Sequence, residues 1–110
     1  MKITQEDINM AKYLAEQNGD YCYNGYGIRV QDKPFALGTI DHVSNKWVDG
    51  EDTKEQLGGI CVTELDGISA SRCGEYDGKY MALVGGDYVG AGEDDSEAIL
   101  TNASVIAVLH

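Results

Sequence analysis

The chain has 110 residues, with 19 Asp and Glu against 8 Lys and Arg, and a formal charge of -11 with both histidines neutral. That size suits one domain around one core, and a hydrophobic fraction of 43% is ordinary for a globular protein. The composition excludes a protein that grips nucleic-acid phosphates, which takes Lys and Arg in excess. It also excludes a bilayer-spanning helix, since the longest apolar run, Val105 to Leu109, falls far short of the roughly 20 residues needed.

The amino-terminal MKITQEDINMAKYLAEQ interrupts every apolar pair with acids or polar residues, unlike the apolar region of a secretory signal, so the expected location is the cytoplasm. Residues Thr4 to Asn18 read as a helix. Ile8, Ala11, Leu14 and Ala15 recur at the spacing of one buried stripe, Thr4 can cap the amino end, Glu6 and Asp7 sit in the first turn, and Asn18-Gly19 supplies a left-handed stop.

In DYCYNGYGIRVQ, Asn24-Gly25 separates Tyr21-Cys22-Tyr23 from Tyr26 to Val30. This pattern predicts a β-hairpin with a type I′ turn, which needs positive φ at both central residues. Tyr26, Ile28 and Val30 then form an aromatic and aliphatic face, with Gly27 and Arg29 on a lighter one. Tyrosines can stack on nucleobases, but with so few cations to hold phosphates the expectation is cross-strand packing.

Asp32-Lys33-Pro34 is a turn, Phe35 to Leu37 and Thr39 to Val43 are short strands or an irregular edge, and Ser44 to Thr53 is a loop. That loop carries Trp47, the only tryptophan, which is either a plug for the core or an exposed anchor. Asp52 or Thr53 caps at most one helical turn before Gly58-Gly59. Ile60 to Leu65 alternates as a strand, and Asp66-Gly67 and Asp77-Gly78 are turns around the poorly patterned Ile68 to Glu75.

The stretch from Lys79 to Leu109 organises the rest. Tyr80 to Val84, extended through Val89, and Glu97 to Leu109 are rich in Val, Ile and Tyr and suit strands buried on both faces, joined by the Gly-rich acidic run Gly90 to Ser96.

Catalytic chemistry has little to rest on. No glycine cluster forms GxGxxG before a helix or a P-loop. Cys22, Cys61 and Cys73 lack CxxC spacing, complete no zinc pattern with His42 and His110, and read as buried free thiols. Cys61 or Cys73, or Ser69 and Ser71, could pair with His42, but no nucleophile-elbow signature surrounds them. His110, as the last residue, is expected to be disordered. Asp49-Gly50-Glu51-Asp52-Thr53 resembles a calcium loop only superficially, because Lys54 and Ile60 stand where Gly and an acid are required.

The charge is unevenly placed. Spread over roughly 6,000 Å² of surface, it would leave one excess charge per about 540 Å², farther apart than the Debye length of about 8 Å, and would mostly confer solubility. Instead Asp87, Glu93, Asp94, Asp95 and Glu97 contribute -5 with no base between them, and Asp49, Glu51, Asp52 and Glu55 with Lys54 add -3. An extended acidic run at about 3.3 Å per residue approaches the charge spacing of duplex DNA, about 1.7 Å of axis per charge.

The sequence therefore predicts a single α+β domain: an N-terminal helix packed on a mostly antiparallel sheet of about five to seven strands. The expected function is a non-enzymatic acidic binding protein that docks on a basic, nucleic-acid-binding partner. It would be a nucleic-acid mimic of the anti-CRISPR kind, by which mobile elements inhibit host nucleases. Its partner-binding residues would be Trp47, Asp49, Glu51, Asp52, Asp87, Glu93, Asp94, Asp95 and Glu97, with no cofactor, no resident metal and no catalytic residue. The alternatives are a divalent-metal enzyme or cation-binding domain using the same carboxylates, and an accessory protein whose acidity serves solubility alone.

Overall fold

A computed structural model describes residues 2–19, 23–32, 34, 35, 37–39, 60–65, 78–91 and 97–110. Helix α1 spans Gln5–Gln17, followed by β1 (Tyr26–Gln31), β2 (Gly38–Thr39), β3 (Ile60–Glu64), β4 (Tyr80–Ala91) and β5 (Glu97–Val108). None of the described helical residues forms a span long and apolar enough to cross a membrane, a finding that does not bear on crossing by strands.

The helix starts at Thr4, whose Oγ accepts from the Asp7 N–H at 3.2 Å while Asp7 Oδ2 accepts from the Thr4 N–H at 2.9 Å. This reciprocal capping box satisfies two amides that the helix itself leaves unbonded. Ile8, Ala11 and Ala15 are buried, Leu14 packs beside them, and Gly19 closes the carboxyl end at φ 92°. The predicted stripe is the one that packs.

All strand pairings are antiparallel. Each edge of β1 is taken, one by β3 and the other by β4; β3 also pairs with β5, and β5 with β4, so the four strands close on themselves. The two-residue β2 adds to β5 at Gly38↔Val105 and Thr39↔Ser104. Among the described residues, four strands closing into a barrel thus replace the expected sheet of five to seven. The reason lies in β4 and β5, 12 residues each. Each is long enough to serve different neighbours along its length, so the ring closes with fewer strands.

Closure splits the core in two. Ile60, Val62, Ala82, Val84, Ala98, Leu100, Ala103 and Val105 fill the lumen, with Phe35 packed against them. So tight a ring needs small residues inside. Gly27 meets this need on β1, because a Cβ there would collide with Val62 Cγ2. Outside the barrel, Ile28, Met81 and Leu83 pack under Ile3, Ile8, Ala11 and Ala15, flanked by Tyr26, Val30 and Ile106.

Two expectations are corrected. A hairpin across Asn24-Gly25 does not form on β1, whose edges are both occupied; Tyr21 and Cys22 lie outside the described residues. The turn itself is present, with the Tyr26 N–H donating to the Tyr23 carbonyl at 3.2 Å. Of its central residues, however, only Gly25 has positive φ (83°), the type II pattern rather than type I′. Gly is required there on a second count: the Gly86 N–H donates to the Gly25 carbonyl at 2.8 Å, and a Cβ would lie 2.5 Å from the Gly86 oxygen.

The lighter face of β1 turns into the barrel. Arg29 shares its parity with Gly27 and is only 5% exposed, its guanidinium donating to the Cys61 carbonyl at 3.2 Å. Finally, His110 is ordered. It exchanges backbone hydrogen bonds with Met81 at 3.1 Å each way, and its Nε2 lies 2.7 Å from Asp7 Oδ1.

Candidate functional site

The β4–β5 ribbon carries the acidic segment. Its last backbone pair is Ala91↔Ala98, and the connection between the strands, residues 92–96, holds three acids. Trp47, Asp49, Glu51, Asp52, Glu93, Asp94 and Asp95 lie outside the described residues, as do Cys22, Cys73, His42, Ser69, Ser71 and the calcium-like segment from Asp49 to Thr53.

Asp87 and Glu97 are described, and they occupy different settings. Asp87 is exposed on β4 opposite Thr101 and accepts a hydrogen bond from Asn102 Nδ2 at 3.0 Å. Glu97 opens β5 opposite Thr63 and is half-buried, its Oε2 accepting from the Cys61 thiol at 2.7 Å. Thr101 stands four positions beyond Glu97, so the ladder separates the two acids by about 13 Å. They belong to one ribbon but share no contact centre.

The Asn102 contact follows from a bulge. Between Gly85↔Ser104 and Asp87↔Thr101, β4 advances two residues and β5 three, so the lumen-facing positions of β5 switch from Ala98 and Leu100 to Ala103 and Val105. Asn102 absorbs the extra residue at φ 51° and turns its amide to Asp87.

The Cys61 thiol is 6% exposed and donates to a carboxylate, the opposite of the accessible, electropositive setting of a reactive thiol. Among the described residues no three His, Cys, Asp or Glu side chains converge as metal ligands. The Asp7–His110 pair joins the helix cap to the end of the chain. Burial by itself would raise the Asp7 carboxyl, but hydrogen bonds from the Thr4 N–H, His110 and the Thr4 hydroxyl outweigh it and hold the carboxyl below its usual range.

A concavity of about 300 Å³ lies where the Asn24-Gly25 turn meets the ends of β3 and the later part of β4. Tyr23, Tyr26 and Tyr88 line it together with Glu64, Leu65 and Ala98. The sequence reading placed no site residue here. The available signal was Glu64, an acid sharing the inward parity of the apolar Ile60 and Val62.

Comparison of the chain with protein-family models, with curated proteins and with solved structures finds no match.

Proposed function

We propose that the chain is a non-enzymatic acidic domain that docks on a basic protein whose cationic surface ordinarily receives nucleic acid, and so inhibits a nuclease by imitation. The observation supporting this reading is the charge: -11 overall, with five acids and no base from Asp87 to Glu97. Of those five, Asp87 lies on β4 and Glu97 opens β5, two strands paired with each other up to Ala91↔Ala98. Closely spaced acids are what a groove built for phosphates recognises. Asp49, Glu51 and Asp52 extend the surface, and Trp47 supplies an apolar anchor.

The test is displacement. Purified protein is titrated into a preformed complex of a basic nuclease with labelled duplex DNA, and release of the duplex is followed across salt. Release that weakens steeply from about 50 to 200 mM salt is expected. Absence of release, or release indifferent to salt, across a panel of RNA-guided and restriction nucleases refutes the proposal.

A further inference from the structure

We propose that the tyrosine-lined concavity beside the Asn24-Gly25 turn is a binding site for a guanidinium group, filled by an arginine side chain of the docked partner. The inference rests on the docking reading above and gives it a specific point of attachment.

Three observations favour a cation. Tyr23, Tyr26 and Tyr88 are all among the residues lining one small space, and aromatic ring faces attract cations through their quadrupoles. Glu64 adds a carboxylate to the same wall, within a molecule of charge -11. The Lys12 ammonium already lies 5.5 Å from the centroid of the Tyr23 ring, so one of these rings holds a cation within the fold. A nucleotide, the other ligand that tyrosines suit, would bring phosphates against Glu64 and the overall negative field.

Size and rigidity narrow the ligand further. About 300 Å³ is the lower limit for ligand pockets, which suits one side chain. Guanidinium is favoured over ammonium because its plane stacks on an aromatic ring while its edge presents donors to a carboxylate. The walls are held in place: the Tyr23 hydroxyl donates to Glu16 at 2.6 Å, and the Asn18 amide donates to the Tyr26 hydroxyl at 2.7 Å. Tyr23 itself has φ 58°, a backbone state unfavourable for a bulky residue. Such strain gathers at binding sites. Tyr88, 47% exposed, leaves one wall open to a partner.

The experiment is an NMR titration of the full chain with N-acetyl-arginine amide, using the neutral isostere N-acetyl-citrulline amide as control. The expected result is saturable shifts centred on Asn24, Leu65, Tyr88 and Ala98 with arginine and none with citrulline, and binding weakened about 5-fold or more by Tyr88→Ala. Glu64→Gln should weaken it also, with the spectrum reporting whether each variant is folded. Equal shifts from both amides, or arginine shifts untouched by Tyr88→Ala and Glu64→Gln in folded protein, overturn the assignment. Because this titration needs no partner, its failure leaves the duplex-displacement result standing. Conversely, pocket binding without displacement removes the docking role and retains the guanidinium site.

Discussion

Asn102 and Tyr23 are the two non-glycine residues at positive φ among those described. Asn tolerates the left-handed region better than most residues, and here its side chain also reaches Asp87. Asn102→Val should therefore destabilise the protein by about 1 to 3 kcal/mol, whereas Asn102→Gly, which relieves the backbone but loses the amide, should stay closer to wild type. Urea unfolding of the two variants decides this, and equal midpoints would contradict the assignment of strain. The Asn could not be picked out from sequence, because a bulge shows only as a slip in alternation, here from Ala98 and Leu100 to Ala103 and Val105.

Asp7 gives a second prediction at this scale. A carboxyl lowered in the folded state contributes stability above its unfolded value of about 3.9, and loses that contribution as pH falls through the lower folded value. The stability difference between wild type and Asp7→Asn should therefore be constant near neutrality and shrink below about pH 4. A difference that grew on acidification would show the shift to have the other sign. Thr4→Ala, which removes the other half of the capping box, should cost about 1 kcal/mol in the same assay.

Among the elements, α1 was legible almost to the residue. Its stripe, cap and stop are local signals, and the capping box only tightened the role of an acid already placed in the first turn. Strands β3, β4 and β5 were legible as elements for the same reason, whereas their partners were not. Asn24-Gly25 illustrates the limit: a turn signal fixes a change of direction but does not say which strand lies alongside. The edges of β1 went to β3 and β4, whose contacts are distant in sequence. Gly27 was likewise placed on the lighter face of β1, with nothing local to show that Val62 fills the lumen against it. Gly27→Leu should abolish cooperative thermal unfolding, while Gly19→Ala, at an uncrowded helix end strained only by its φ, should lower the melting temperature modestly. Similar effects from both would argue against a closed, tightly filled barrel.

For the whole molecule, the closed ring was hidden in the sequence because it depends on β4 and β5 each being long enough for several neighbours. The candidate site divides in the same way. The acidic segment could be read from charge alone. The tyrosine pocket could not be read, because it gathers residues from a turn, β3, β4 and β5 that meet only after closure. Apolar burial secures the fold of the described residues, and on the docking proposal Asp94 and Asp95 serve a partner instead. Reversing Asp94 and Asp95 to Lys should therefore leave the melting temperature near that of wild type.

The central claim is that close-set negative charge carries the docking. Its most direct measurement is the association rate of wild type and of the Asp94→Lys, Asp95→Lys variant with a nuclease that the wild type displaces from DNA, taken at rising salt. The account predicts a wild-type rate that falls about 10-fold or more between about 50 and 200 mM salt, and a reversed variant that binds slowly at every salt. A folded variant that associates as fast as wild type at low salt would contradict it.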